Sequence, residues 1–258
     1  MDNFSISIIQ IPTVWENPIQ NQHNIEQIVF QKDFPISDLI VLPEMWSTGF
    51  SMNTDLLAES MTGSSIQWML NMASQKNSAL TGSLIIREKD QCYNRLIFAK
   101  PDGTIDYYDK RHCFGLAHED KYFTPGNEKK IFDWRTWKIC PMICYDLRFP
   151  AWSRNSEDYD LLLYVAQFPE KRRLAWSNLL IARAIENVCY VAGANGIGTD
   201  GNGIQYSGDS VILDYEGVTL AQFGSQIGFF NAILNKNKLF AFRRAYPFLK
   251  DQDKICIS

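Results

Sequence analysis

Apolar residues occur in two patterns that alternate along the whole chain. Short apolar runs of about four to eight residues, bounded by turn residues, are typical of buried strands, whereas apolar residues spaced three and four apart are typical of amphipathic helices. No Pro/Gly/Ser-rich linker and no internal repeat interrupts the alternation. The pattern therefore predicts one domain over residues 1–258, of mixed α/β class.

The predicted strands outnumber the predicted helices. Strands are predicted at 5–9, 38–42, 79–86, 92–99, 105–109, 138–143, 161–165, 188–194, 210–214, 219–223 and 228–234. Helices are predicted at 18–31, 64–76, 148–155, 171–187 and 236–245. Turn sequences at 101–103 (PDG) and 214–217 (DYEG) each join two strands and predict hairpins. Because antiparallel hairpins occur among strand-helix-strand units, we expect two mixed sheets packed face to face with helices outside.

Composition narrows the class of protein. Of the 258 residues, 46% are hydrophobic and 21% are charged, values that are typical of globular chains and exclude disordered, collagen-like and coiled-coil proteins. The net charge of -4 and the scattered Lys and Arg residues argue against a nucleic-acid partner. No run reaches the ~18 apolar residues of a membrane span, and residues 1–10 lack the features of a secretory signal. We therefore expect a cytoplasmic protein with no membrane partner.

The cysteines and histidines indicate free thiols and no metal site. In a cytosolic chain of this length, scattered cysteines are expected as thiols rather than disulfides. No CxxC pair occurs, and the three histidines have no zinc-site spacing with the cysteines. The cysteines are Cys92, Cys113, Cys140, Cys144, Cys189 and Cys256.

The segment 139–150 (ICPMICYDLRFP) carries the strongest chemical signal. An apolar strand runs directly into Cys144, and polar residues and a predicted helix start follow. A cysteine at such a turn can present its sulfur beside backbone N–H groups, which is the geometry of a nucleophile with an oxyanion site. A buried structural thiol is the alternative for any single cysteine.

Two further strand ends carry charged residues. The strand at 38–42 leads into Glu44 and a polar, Gly-containing loop, and the strand at 105–109 leads into Lys110. Each charge alone is compatible with an ordinary solvated residue. Together with Cys144 they form a set of thiol, carboxylate and cation that suits nucleophilic catalysis.

Three motifs around these residues resemble the signature blocks of the nitrilase, or carbon-nitrogen hydrolase, superfamily. They are LPE at 42–44, YDK at 108–110 and ICYDLRFP at 143–150. The segments YFTPG at 122–126, ARAIEN at 182–187 and GDS at 208–210 are similar to family segments in the expected order. The resemblance covers nearly the whole chain and is closest to the omega-amidase branch.

The resemblance implies a fold and a set of catalytic roles. The implied fold is a four-layer α-β-β-α sandwich that forms homodimers through its helical layers. Cys144 is implied as the nucleophile, Glu44 as the general base and Lys110 as the oxyanion partner. A second catalytic glutamate is carried onto Glu119, with Asp120 beside it in the same loop.

The residue types fit a thioester mechanism. Glu44 would take the thiol proton as the sulfur attacks an amide carbonyl, and Lys110 with the backbone N–H of Tyr145 would hold the oxyanion. Water activated by Glu44 would then hydrolyse the thioester, so the reaction requires no metal and no cofactor. The resemblance gives no role to a histidine, and we expect His112 and His118 on a solvated loop.

Substrate recognition is predicted from a few side chains near the nucleophile. Arg148 could hold a substrate carboxylate through a bidentate pair, because a planar guanidinium suits carboxylate geometry. The alternative is a structural pair with Asp146 or another acid of the same turn. The cations at 171–173 either form a solvated helix face or attract an acidic substrate. Core packing is the alternative role for the aromatic rings among the implied pocket residues. Those pocket residues are Phe50, Phe168, Trp176 and Asn195.

The expected function is that of an omega-amidase. Such an enzyme hydrolyses the terminal amide of a 2-oxo dicarboxylic acid monoamide, such as 2-oxoglutaramate, to the diacid and ammonia. The expected partners are this small-molecule amide and a second copy of the chain. The alternatives are another amidase of the superfamily, acting on N-carbamoyl amino acids or deaminated glutathione, and a catalytically silent binding module of the same fold. A nitrile hydrolase is disfavoured because the segment 182–187 resembles the amidase branch.

Overall fold

Residues 2–254, which the computed structural model describes, form fourteen strands and six α-helices. The strands are β1 (Asn3–Gln10), β2 (Leu39–Val41), β3 (Ala79–Glu88), β4 (Gln91–Ala99), β5 (Ile105–Asp109), β6 (Phe132–Trp134), β7 (Trp137–Ile143), β8 (Leu161–Ala166), β9 (Tyr190–Asn195), β10 (Ile197–Thr199), β11 (Gln205–Ser207), β12 (Ser210–Leu213), β13 (Thr219–Gly224) and β14 (Gly228–Asn235). The helices are α1 (Pro18–Val29), α2 (Thr54–Leu57), α3 (Ser64–Lys76), α4 (Pro150–Ser153), α5 (Arg173–Asn187) and α6 (Lys236–Ala245). Among these helices, none is long and apolar enough to cross a membrane.

The strands form two mixed six-stranded sheets and one two-stranded ribbon. The first sheet has the order β14-β1-β2-β3-β4-β5, in which β1, β2 and β3 are parallel and the other neighbours are antiparallel. The second sheet has the order β13-β12-β9-β8-β7-β6, in which β7, β8 and β9 are parallel. The ribbon pairs β10 with β11. Both predicted hairpins are present, and the prediction of mixed sheets is confirmed.

Alternation of side chains along β1 explains how the layers pack. Phe4, Ile6 and Ile8 belong to the core between the sheets, where the ring centroids of Phe4 and Trp137 lie 5.1 Å apart. Ile9 points to the opposite face and belongs to the core beneath α1 and α3. Helix α5 packs against the second sheet at β9. The result is the predicted α-β-β-α sandwich.

Two predicted helices differ from the structure at their ends. The helix predicted at 148–155 is reduced to α4, because Cys144–Arg148 form a 3-10 turn. Pro150 takes the first position of α4, where the missing backbone N–H breaks no helical hydrogen bond. The helix predicted at 171–187 begins as α5 at Arg173, after a short 3-10 turn.

The strand predicted at 188–194 also starts later than expected. Val188 ends α5 in the left-handed conformation, with φ 44°, so the strand cannot begin there. It begins at Tyr190. The sequence analysis did not predict α2, β6, β10 and β11. These elements of three or four residues contain no three consecutive apolar residues, unlike the equally short β2 and β12, so they show no pattern.

Candidate active site

The ends of three strands bring the predicted catalytic residues together. Glu44 follows β2, Lys110 directly follows β5, and Cys144 directly follows β7. Glu44 and Lys110 are 0% and 1% exposed, and Cys144 is 8% exposed. Strands of both sheets therefore deliver the carboxylate, the ammonium and the thiol to one buried point.

Lys110 is held between two carboxylates. Its Nζ lies 2.7 Å from Glu44 Oε1 and 3.0 and 2.9 Å from the two carboxylate oxygens of Glu119. Glu119 is buried, and its Oε2 also accepts the backbone N–H of Phe114 at 2.6 Å. The adjacent Asp120 is exposed, so Glu119 is the acid of this loop that reaches the site. We call Glu44, Lys110 and Glu119 the inner cluster.

Two buried amides that the sequence analysis missed complete these contacts. Asn94 Nδ2 donates to Glu44 Oε1 at 2.7 Å and to Glu119 Oε1 at 3.0 Å. Gln167 donates its backbone N–H to Glu44 Oε2 at 2.8 Å and its Nε2 to the Glu44 carbonyl at 3.0 Å. Two features of the sequence could have indicated these residues. Asn94 is a polar residue inside the apolar strand predicted at 92–99, and Gln167 directly follows the apolar run that forms β8.

The charges of the inner cluster shift the pKa values of its members. Burial alone would lower the pKa of Lys110, but the negative charges of Glu119 and Glu44 outweigh it and hold this pKa well above its ordinary value. Lys110 is therefore an ammonium at neutral pH. Burial, with a smaller contribution from the Glu44 carboxylate, raises the pKa of Glu119 against the attraction of Lys110. Two carboxylates share one cation, so the cluster has the capacity to accept a proton, as a general base must.

Cys144 occupies a strained turn. Its φ is 44°, in the left-handed region that costs a residue with a Cβ atom about 1–2 kcal/mol. Strand β7 ends at Ile143, and the 3-10 turn Cys144–Arg148 begins at Cys144 itself. Asp146 Oδ2 accepts the backbone N–H of Ile143 at 3.0 Å and closes the turn. This conformation places Cys144 in the wall of a cavity.

The surroundings of Cys144 favour the protonated thiol. Burial, followed by the negative charge of Glu44, raises the pKa of Cys144 well above its ordinary value, and the attraction of Lys110 does not reverse this shift. A hydrogen bond to Glu44 contributes in the same direction. The site is therefore built for activation by a base rather than for a preformed thiolate.

A cavity of about 610 Å³ opens beside Cys144. Phe50 and Phe168, two of the four predicted pocket residues, line it, and so does Tyr145. The centroid of the Phe50 ring lies 5.2 Å from Lys110 Nζ, which places an aromatic wall next to the inner cluster. The volume lies within the range of small-molecule sites.

Three cations line the same cavity. Arg148, Lys171 and Arg172 are lining residues that form no ion pair with the part of the chain that the structure describes. Arg148 and Lys171 are exposed, and the Arg172 side chain is partly buried against the ring of Phe114, at 4.8 Å from its centroid. We call these three residues the rim cations. The exposed Glu170 is the one acid among the described lining residues.

The alternative pairing of Arg148 with Asp146 is not formed among the described contacts. The carboxylate of Asp146 instead accepts from backbone and side-chain donors described below, and Arg148 lies 5.9 Å from the ring centroid of Phe168. Arg173, the last cation of the 171–173 run, does not line the cavity and pairs with Asp209 at 2.8 Å.

Trp176 and Asn195 lie behind Phe168 rather than in the described cavity wall. Asn195 holds the backbone of Phe168, accepting its N–H at 2.7 Å and donating to its carbonyl at 3.2 Å. Trp176 packs against the Phe168 ring, with 5.4 Å between centroids, and donates Nε1 to the Asp209 carbonyl. Trp176 and Asn195 therefore do not line the described cavity as predicted, and they support Phe168 from behind instead.

His112 differs from its predicted place on a solvated loop. Its ring is half-buried, stacks on Phe149 at 3.7 Å between centroids, and places Nδ1 2.7 Å from Asp146 Oδ1. The Asp146 carboxylate holds it against the turn that carries Cys144. His118 is exposed, as predicted.

The described cysteines are all free thiols, as predicted, and Cys256 lies outside the described residues. Burial raises the pKa of Cys113 and of Cys140 to about 12 in each case. Within residues 2–254, no group of three or more His, Cys, Asp or Glu side chains is placed to hold a metal ion.

A family model for carbon-nitrogen hydrolases matches residues 5–227, a range that includes the inner cluster and Cys144. The chain belongs to the carbon-nitrogen hydrolase family. The predicted family is therefore confirmed, and with it the predicted class of enzyme.

Several relatives of this carbon-nitrogen hydrolase are amidases. The chain is 42% identical to the omega-amidase YafV of Yersinia enterocolitica over 260 residues, which cover 100% of both chains. It is 40% identical to the omega-amidase YafV of Escherichia coli strain K12, with 98% of each chain covered. It is 32% identical to the 2-oxoglutaramate amidase of Bacillus subtilis strain 168, with 96% of this chain and 97% of the relative covered.

Solved structures of carbon-nitrogen hydrolases share the fold. XC1258 of Xanthomonas campestris, a protein of this superfamily whose structure carries an arsenic adduct in the active site, aligns with a TM-score of 0.94, 37% identity and 100% coverage of both chains. Nit3 of Saccharomyces cerevisiae aligns with a TM-score of 0.84, 24% identity and 95% coverage of both chains. The fold predicted for the superfamily is confirmed.

Proposed function

We propose that this carbon-nitrogen hydrolase is an omega-amidase, which cleaves the terminal amide of a 2-oxo dicarboxylic acid monoamide, such as 2-oxoglutaramate, to the diacid and ammonia. The observation that carries the proposal is a guanidinium without an ion pair in the described chain, that of Arg148, in the wall of the cavity that also holds Cys144. Similarity over the full length to omega-amidases and to a 2-oxoglutaramate amidase supports it. The proposed reaction uses no cofactor.

In the first half of the reaction, Cys144 forms a thioester with the substrate. Glu44 takes the thiol proton while the sulfur attacks the amide carbon, and the carbonyl oxygen becomes an oxyanion. Lys110 and the backbone N–H of Tyr145 hold this oxygen, since N–H groups in the first turn of a helix lack a partner within the helix. The C–N bond then breaks, and the proton on Glu44 moves to the nitrogen, which leaves as ammonia.

In the second half, water releases the acid. Glu44, again a carboxylate, takes a proton from water while the water oxygen attacks the thioester carbon. The C–S bond breaks, and the proton returns to the sulfur. Glu119 and Asn94 act as positioning residues, because they hold Lys110 and Glu44 through the contacts described above.

Arg148 is the proposed recognition residue for the acid end of the substrate. Its guanidinium can form two parallel hydrogen bonds with a carboxylate. Phe50 and Phe168 provide apolar walls for the methylene groups between the carboxylate and the amide of the substrate. Binding at this remote end orients the scissile carbonyl against Cys144, so the carboxylate contributes to kcat/KM.

A panel of substrates assayed for ammonia release tests the proposal. It contains a 2-oxo dicarboxylic acid monoamide, the monoamide without the 2-oxo group, a neutral amide of equal length, an N-carbamoyl amino acid and a nitrile. We expect the highest kcat/KM for the 2-oxo acid monoamide. A preference for the neutral amide or the N-carbamoyl compound would contradict an omega-amidase and leave the thioester mechanism in place. No turnover of any compound, with a Cys144 that resists small electrophiles, would favour a binding module.

We further propose that the chain forms one domain over residues 1–258 and works as a cytoplasmic homodimer. Leu174, Ile181 and Ile185 are exposed on one face of α5, and a second copy would remove this apolar surface from water. The cytoplasm would keep the Cys144 thiol reduced. Sedimentation of the wild type should give a dimer and that of Ile185→Glu a monomer, whereas a monomeric wild type would contradict the homodimer.

A further inference from the structure

The buried carboxylate of Asp146 accepts hydrogen bonds from two different strand ends. Its Oδ2 accepts the backbone N–H of Ile143 at 3.0 Å and the hydroxyl of Tyr108 at 2.8 Å. Its Oδ1 accepts the backbone N–H of His112 at 3.0 Å and lies 2.7 Å from His112 Nδ1. Ile143 directly precedes the nucleophile, whereas Tyr108 and His112 lie two residues before and two residues after Lys110. One carboxylate thus ties the strand end of the ammonium to the turn of the thiol.

The ring of His112 is fixed from two further directions. It stacks on Phe149 with an interplanar angle of 6°, and it meets the edge of Trp152 at 6.1 Å between centroids. Both aromatic residues belong to the segment that follows the nucleophile. Because a carboxylate only accepts hydrogen bonds, His112 Nδ1 is the donor to Asp146.

The strained conformation of Cys144 explains why such a restraint is needed. A residue with a Cβ atom keeps a positive φ only when the surrounding structure enforces it. Donors that share one buried carboxylate form stronger hydrogen bonds than neutral pairs, and here they converge on the residue two positions after the nucleophile.

We propose that His112, together with Tyr108, is a positioning residue that acts through Asp146 to set the place of Cys144 relative to Lys110. The inference rests on the proposed role of Cys144 as nucleophile and is independent of which amide is the substrate. His112 touches neither the cavity nor the sulfur among the described contacts.

Two substitutions at His112 separate positioning from packing. His112→Phe keeps an aromatic ring against Phe149 and removes the Nδ1 donor, whereas His112→Asn retains a side-chain N–H. We expect kcat of His112→Phe to fall at least about tenfold with KM unchanged, within the roughly hundredfold that a displacement of about 1 Å can cost. His112→Asn should restore most of kcat. The rate at which iodoacetamide alkylates Cys144 should change in parallel with kcat in both variants. Mass spectrometry of the peptide that contains Cys144 measures this rate.

His23→Phe is the matched control, because His23 is an exposed histidine on α1 whose ring contacts Gln27 and does not line the cavity. Its kcat should equal that of the wild type. Unchanged kcat in His112→Phe, or a loss that His112→Asn does not restore, would overturn the proposal. If His112→Phe does not fold, Tyr108→Phe removes another donor from the same carboxylate, and full activity there would also overturn it. If the omega-amidase assignment is wrong, the substrate preference of the wild type will show it. The differences in the alkylation rate of Cys144 between wild type and the His112 variants would remain valid.

Discussion

The inner cluster and the rim cations are two groups of charges in one site, and they are arranged in opposite ways. The ions of the inner cluster are buried and lie within 3.0 Å of their partners. The rim cations line an open cavity and form no ion pair within the described chain. A cationic side chain is thus neutralised by carboxylates of the protein in the inner cluster, whereas the rim cations remain available to pair with a ligand.

Burial accounts for the difference. A buried charge costs several kcal/mol unless it is paired, so the inner cluster must be complete before any substrate arrives. A cation at the rim is solvated by water and exchanges this water for a substrate carboxylate at little cost. We therefore propose that the inner cluster serves the reaction at Cys144 and that the rim cations select the substrate.

Removal of the sulfur should have the largest effect, because it removes the proposed nucleophile on which the inner cluster acts and leaves the rim cations in place. We expect Cys144→Ala to lower kcat by at least about 10⁴-fold. Binding of the diacid product, measured by calorimetry, should be retained. Cys113→Ala, the same change at a half-buried thiol in the described chain, is the control and should remain active. Turnover by Cys144→Ala would refute the proposed nucleophile.

The two glutamates of the inner cluster should differ in their effect on kcat. Glu44→Gln removes the proposed base and should lower kcat by about 100-fold or more. Glu119→Gln leaves the base in place and should lower kcat less, by loosening Lys110. Steady-state kinetics of both variants measure the difference. Equal losses would mean that Glu119 takes part in proton transfer.

Stability should separate the two regions directly. Lys110→Met leaves the carboxylates of Glu44 and Glu119 buried without their cation, and should lower the free energy of unfolding by about 3–5 kcal/mol. Arg148→Met removes a solvated charge and should change it by less than about 0.5 kcal/mol. Urea denaturation measures both values, and similar losses would contradict the distinction between cluster and rim.

Selectivity should depend on the rim. In Arg148→Lys the planar fork is lost, and kcat/KM for a dicarboxylic acid monoamide should fall about tenfold, close to the lower end of the roughly 1.5–3 kcal/mol typical of a charged hydrogen bond. The neutral amide of equal length should be turned over as before. The two substrates are compared side by side in wild type and variant. Equal losses would remove Arg148 from the recognition site.

The smallest predicted effect concerns the ionisation of the Cys144 thiol in the absence of substrate. At about pH 8.5 an unperturbed thiol is half ionised, but the raised pKa of Cys144 keeps its proton on at that pH. The thiolate absorbance in the ultraviolet should therefore be the same in wild type and Cys144→Ala at this pH. In Glu44→Gln the titration should shift to lower pH, because the negative charge that raises the pKa is absent. A thiolate signal from Cys144 near neutral pH would contradict base activation.

The longer elements could be predicted from periodicity and short strands such as β2 from an apolar run, whereas short elements without such a run could not. Strands such as β1 and β7 alternate or run apolar over enough residues to show their period. Element ends depended on single residues with special backbone demands, such as Pro150 and Val188. The ribbon of β10 and β11 has three residues in each strand, which is too few for a pattern.

The site was predictable where a charged residue or a cysteine follows a strand. Glu44, Lys110 and Cys144 stood out in this way. Asn94 did not, because its partner Glu44 is 50 residues away and strand alternation does not reveal which polar side chain will meet a distant carboxylate. The contact of His112 with Asp146 spans 34 residues and was missed for the same reason.

The pairing of β1 with β14 brings residues 3–10 against residues 228–235. During synthesis on the ribosome, β1 emerges early, whereas its neighbour β14, which covers one of its edges, emerges after all the other described strands. A nascent chain that lacks β14 already carries the proposed catalytic residues but exposes unpaired N–H and C=O groups along an apolar strand, which favours association with other nascent chains. Translation speed and chaperone access near the end of the message therefore bear on the yield of active enzyme.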